Sequence, residues 1–158
     1  MDSSRLIRKN GLAVKLVIAL GIARIVFSII NNWGDGRIPI TIFMVVVCLA
    51  VIGGNAFLGM VKSDSELIKF TSVLGFLPVA FLAIFVEGSS VSGILPVFGV
   101  LLICMIYLDE RLSFFAAIVC EVLMLIKVVV VIAGGVKENI INWIAVFLFI
   151  TIFNLGIN

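Results

Sequence analysis

The sequence predicts an all-α polytopic membrane protein: one domain over residues 1–158, a bundle of six transmembrane helices with both termini in the cytoplasm. Three observations predict it. The composition is 63% hydrophobic and 13% charged, with a mean hydropathy of +1.37, whereas about a quarter of a soluble domain's residues are charged. Apolar runs of about 20 residues, the length that crosses about 30 Å of hydrocarbon, recur along the chain. Lysine and arginine are divided unequally between alternate connectors, as the positive-inside rule requires of a chain that crosses a bilayer repeatedly.

The elements follow in order. Residues 1–10 are polar and basic, with Arg5, Arg8 and Lys9 ahead of the first apolar run at about 12–30. That run holds Arg24 and lacks a small-residue cleavage pattern, so it reads as an uncleaved first helix rather than a signal peptide. The turn-rich NNWGDGR over 31–37 places Trp33 at interfacial depth. Pro39 opens the second helix, 39–60, whose later half carries Ala50, Gly53, Gly54 and Gly59, small residues of the kind that let helices approach closely. Asn55 among them is expected to hydrogen-bond to a neighbouring helix.

The hydrophilic connector VKSDSELIK leads to the third helix, 70–86, in which Pro78 is expected to introduce a kink and free a carbonyl. The fourth, 93–108, has Pro96 near its first turn and ends at Tyr107 and Leu108. A short turn, Asp109, Glu110 and Arg111, joins it to the fifth, 112–133. After Gly134, Gly135 and a loop with Lys137, Glu138 and Asn139, the sixth covers 140–157 with Trp143 near an interface. One side of this topology collects Arg5, Arg8, Lys9, Lys15, Lys62, Lys69 and Arg111; the other has only Arg37 and Lys137, which puts both termini inside and the chain in the cell membrane.

Cys48, Cys104 and Cys120 lie in apolar runs and read as small buried hydrophobes. No His is present and no paired Cys spacing occurs, so no metal or cofactor is expected; nothing resembles a nucleophile with its base, so no catalytic residue is assigned. A net charge of +2 without a basic, aromatic-interleaved stripe argues against nucleic acid as a partner.

Three ionisable residues inside apolar runs are the candidate functional groups: Arg24 in the first helix, Glu121 and Lys127 in the fifth. Glu121 and Lys127 stand about 120° apart around their helix and about 9 Å along it, too far to satisfy each other. Arg24 at about 18 Å and Glu121 at about 13 Å from the cytoplasmic edge come within reach if the first and fifth helices touch, and Lys127 at about 22 Å is expected to snorkel outward. Such groups serve as packing pairs, as ligand or ion sensors, or in translocation. Asn55, Pro78 and Pro96 are secondary candidates, the two prolines as the possible walls of a pocket toward the outer leaflet.

The basic start, six short-looped helices and the hairpin LPVFGVLLICMIYLDERLSFFAAIVCEVLMLIKVV resemble the N-terminal membrane-embedded sensor of bacterial methyl-accepting chemotaxis proteins of Gram-positive anaerobes. Related modules precede some diguanylate cyclases and histidine kinases. The resemblance spans the whole sequence and centres on an apolar run ending in Tyr107, Leu108, Asp109, Glu110 and Arg111. It implies a sensory, signal-transducing homodimer, with positions such as Ala19, Ala23 or Cys48 at the interface and a cytoplasmic signalling domain or kinase as partner. Those receptors continue past the sixth helix, and this sequence ends at Asn158, so it reads either as a piece of a receptor or as a free-standing protein of that shape. Two alternatives stand beside it. One is the substrate-binding membrane subunit of a small-solute transporter, for which Ala19 and Ala23, four apart, are a partner-contact spacing; the other is a scaffold without a ligand.

Overall fold

The computed structural model describes residues 3–32, 36–86, 90–107 and 109–134, together with 143–145, 147–148 and 150–152 of a shorter sixth helix. Five long helices, α1 (Ser3–Asn32), α2 (Ile38–Val61), α3 (Leu67–Phe85), α4 (Ser90–Tyr107) and α5 (Glu110–Ala133), precede it. Among the described residues all regular structure is α-helical, joined by short turns. Four of its helices are long and apolar enough to cross a membrane; α4 adds a shorter apolar stretch over Leu95–Tyr107. Trp33, Glu87, Leu108, Lys137, Glu138, Asn139, Phe153–Asn158 and both ends of the sixth helix fall outside the described residues.

The largest departure from expectation is α1, which begins at Ser3 rather than near residue 12. The reason is periodicity: Leu6, Asn10, Ala13, Val17, Gly21, Arg24, Ser28 and Asn32 recur every three or four residues and are all buried, so one helical face continues through the basic stretch. Arg and Lys are good helix formers and point their charges outward from that face. At the other sharp boundary, Asp109 caps α5 by accepting a hydrogen bond from the Leu112 amide at 3.1 Å.

Helix α3 is the centre of the bundle. It packs against α1, α2, α4 and α5, while α1 also packs on α2 and α4, and α4 on α5. Its inner residues Val73, Phe76, Ala80 and Ile84 join α1, α4, α5, Trp143 and Ile150 in the main core. A second cluster, Met44, Cys48, Val79 and Ala83, seals α2 onto α3. All three cysteines are buried thiols, as expected, and Cys48 packs within this second cluster. Ala19 is exposed and Ala23 half-buried.

Close approach of the helices involves Gly59 but not Gly53 or Gly54 among the glycines singled out in the sequence, and others besides. A Cβ on Gly53 or Gly54 would meet nothing, whereas one on Gly59 would lie 3.3 Å from Val14. At Gly99 of α4 it would lie 2.9 Å from Leu20 of α1 and 3.5 Å from the Phe76 ring of α3. Gly99→Leu is therefore expected to overpack a three-helix junction and destabilise the protein by about 1–3 kcal/mol, measured by thermal unfolding in detergent; Gly53→Leu should be near neutral.

The surface is the reverse of a soluble protein's. Phe57, Met60, Ile30, Ile42, Phe115 and Val130 are among many large apolar side chains that face outward, whereas Arg24, Ser28, Ser72 and Asn55 are buried. Contiguous apolar surface on every long helix suits an apolar solvent, consistent with association with a membrane. Pro78 lies on the exposed face of α3 and Pro96 is buried in α4; neither interrupts its helix.

Candidate functional site

A segment surrounded by hydrocarbon satisfies its polar groups internally or not at all, so buried polar side chains mark where this chain departs from plain packing. They fall into two layers inside the bundle and a third at its basic end.

The inner layer holds the three ionisable candidates. Arg24 is fully buried, on the same face of α1 as Ser28 and Asn32. Its Nε and Nη1 atoms are sealed from solvent without a hydrogen bond among the described residues. Asn32 donates to the Ser28 carbonyl one turn earlier at 2.9 Å. The expected Arg24–Glu121 pair does not form, because α3 and α4 lie between and α1 does not touch α5. Glu121 instead turns to the sixth helix, where its Oε1 accepts a hydrogen bond from the Thr151 hydroxyl at 2.8 Å.

Lys127 does not snorkel outward. It is 7% exposed, and its ammonium stands over the Trp143 ring, 5.4 Å from the centroid. Trp143, expected near an interface, is fully buried. A cation shielded from water gains most from an aromatic face, about 2 kcal/mol when desolvated, which offsets part of the cost of keeping Lys127 inside. Glu121 and Lys127, unable to meet each other, thus both engage the sixth helix, one near each end of its described part.

The second layer joins α2 to α3 through Asn55, as its position predicted. Its Oδ1 accepts from Ser72 Oγ at 2.7 Å and from Thr71 Oγ1 at 3.2 Å, while its Nδ2 donates to the Val51 carbonyl at 2.9 Å.

The third layer was missed in the sequence. At the basic end, Asn10 ties three segments together: its Nδ2 donates to the Ser63 and Ser65 carbonyls at 2.8 and 3.0 Å, and its Oδ1 accepts from the Tyr107 hydroxyl at 2.9 Å. Lys9 donates to the Tyr107 carbonyl at 3.1 Å, and Lys69 pairs with Asp109 across the α4–α5 turn. A polar cavity of about 470 Å³ opens here, lined by Lys9, Glu66, Lys69, Tyr107, Asp109 and Arg111 with Leu6 and Glu110. The signal that could have revealed it is the spacing of Leu6, Asn10 and Ala13, which places Asn10 on the buried face.

The Lys69 ammonium bonded to the Asp109 carboxylate, aided by the Leu112 amide, holds that carboxyl below its ordinary range. A lowered carboxyl pKa adds stability that is present above the unfolded value of about 3.9 and is lost as pH falls through the folded one. Both partners are partly exposed, so the pair contributes about 0–1 kcal/mol. Asp109→Asn keeps a capping side chain and removes the charge. It should lose under about 1 kcal/mol at neutral pH, and its melting temperature should fall less than the parent's between pH 5 and pH 3. Equal acid sensitivity of the two would contradict the pairing.

No family model, no curated protein and no solved structure matches the chain.

Proposed function

We propose that this chain is the membrane-embedded sensory module of a chemoreceptor-like signalling protein. In this reading six helices cross the cell membrane with both ends cytoplasmic, two chains associate as a dimer, and a change in packing leaves through the last helix to a signalling domain or kinase. The chain carries out no reaction of its own.

The observation that carries this reading is the Thr151 hydroxyl. Its one proton has two acceptors, Glu121 Oε1 on α5 at 2.8 Å and the Phe147 carbonyl of its own helix at 3.0 Å. In the first arrangement the Thr151 hydroxyl ties the last helix to α5; in the second its proton stays within its own helix, as that of helical threonines commonly does. The two exchange one acceptor for another and so differ by no more than one hydrogen bond's worth, about 0.5–1.5 kcal/mol, and a stimulus with modest preference for either packing can shift their populations. Thr151→Val removes the inter-helix bond while keeping shape. It is expected to change the balance of signalling states by about fivefold, the equivalent of about 1 kcal/mol.

The direct test is the mass of the native polypeptide, detected in source membranes with an antibody to the Lys62–Lys69 loop. A product well above 17.1 kDa, carrying an output domain, is expected. A product at 17.1 kDa contradicts the receptor reading and favours a transport subunit, if a small molecule copurifies, or a scaffold if none does.

A further inference from the structure

The polar cavity at the basic end does not stand alone. Asp109 and Arg111 line both it and an adjoining groove of about 360 Å³, whose other walls are Phe70, Leu74, Leu112 and Phe115. The groove is therefore apolar and runs between α3 and α5, where Phe70, Leu74 and Phe115 are exposed to the surroundings of the bundle. A charged chamber leading at a shared rim into an apolar channel is the shape of an amphiphile: polar head at one end, hydrocarbon tail at the other.

The chamber's charges specify the head. Lys9, Lys69 and Arg111 face Glu66, Asp109 and Glu110, so cations and carboxylates are present in equal number. The Lys69–Asp109 pair neutralises one of each. What remains is two cations, Lys9 and Arg111, and two carboxylates, Glu66 and Glu110. One ammonium hydrogen of Lys9 goes to the Tyr107 carbonyl, and a lysine carries three donors. An anionic head would meet the two carboxylates unfavourably. A head with a phosphate and a primary ammonium matches both signs, and the ammonium can donate hydrogen bonds to carboxylates, which a quaternary choline group cannot.

From this geometry we propose that the α3–α5 groove and its polar chamber bind an aminophospholipid of the cytoplasmic leaflet, phosphatidylethanolamine in chemistry. The phosphate lies between Lys9 and Arg111, the ammonium between Glu66 and Glu110, and one acyl chain along Phe70, Leu74 and Phe115. The proposal rests on the membrane-crossing reading above. The bound lipid bridges α1, the α2–α3 connector and the α4–α5 turn, so it would stiffen the end of the bundle that Asn10 also holds together.

The test is native mass spectrometry of the full chain in detergent with dioleoyl phosphatidylethanolamine, phosphatidylglycerol or phosphatidylcholine added at equal concentration. Phosphatidylethanolamine should be retained at least threefold over each of the others. Glu66→Gln with Glu110→Gln, both exposed sites, should reduce it to the phosphatidylcholine level, and Leu74→Trp, which fills the groove, should lower retention of all lipids; each variant's melting curve shows whether it is folded. Equal retention of the three lipids, or preference for phosphatidylglycerol, overturns the proposal. Alkaline washing of membranes reads the underlying premise separately: a chain that stays in the washed membrane but shows no lipid preference refutes this site alone, and a chain that washes off refutes the membrane reading.

Discussion

Trp143→Ala is expected to destabilise the protein by about 3–5 kcal/mol, the largest effect of any single substitution considered. Trp143 is the largest fully buried side chain among the described residues and belongs to the main core. Truncation leaves a cavity in that core and also removes the ring beneath the Lys127 ammonium, leaving a buried cation with less compensation. Trp143→Phe keeps a ring and should recover most of the loss. Lys127→Met in the alanine background should recover part of it, since a cation with no ring costs more than a thioether of similar length. Thermal unfolding in detergent, followed by circular dichroism, reads all four chains. If Trp143→Ala melts with the parent, the sixth helix is not anchored in the core at this residue.

Asn10→Ala is the second large effect, about 2–3 kcal/mol. Asn10 is 1% exposed and makes three hydrogen bonds to groups on two other segments, the Ser63 and Ser65 carbonyls and the Tyr107 hydroxyl. Leaving a buried polar group unsatisfied costs about 1–3 kcal/mol, and water at this end of the bundle can replace part of the loss. Asn10→Asp keeps the acceptor for Tyr107 and loses the donor to the connector, so it should fall between. Tyr107→Phe removes one bond and should cost about 1 kcal/mol. Proteolysis of the 62–66 connector is the complementary readout, because its two anchored carbonyls are released in Asn10→Ala. Unchanged cleavage would contradict the tie.

These two residues show what the sequence carries and what it does not. Helix positions follow from apolar run length and short polar connectors, which is why α2, expected over 39–60, is found at Ile38–Val61. The first helix exceeds its expected span because hydropathy sees the basic residues 5–9 as an ending, whereas the spacing of Leu6, Asn10 and Ala13 keeps one face buried. Asn55 was legible because a lone amide in an apolar run has few acceptable fates, and its bonds to Ser72 and Thr71 are one of them. The partners of Glu121 and Lys127 were not legible. Depth along each helix can be counted from sequence, but which helices are neighbours depends on the whole bundle, and the central place of α3 separates α1 from α5. Pro78 and Pro96 were visible as residues, but only the packing puts one outside and the other inside.

The central claim is the crossing pattern itself, and site-directed thiol labelling from one side of the membrane tests it most directly. The native thiols Cys48, Cys104 and Cys120 are buried and give little background. In right-side-out vesicles, Arg37→Cys in the α1–α2 connector should react with a membrane-impermeant maleimide at once, and Ser63→Cys in the α2–α3 connector only after permeabilisation. Labelling of both from outside without permeabilisation, or of Ser63→Cys alone, would contradict the six-crossing arrangement with its basic end inside.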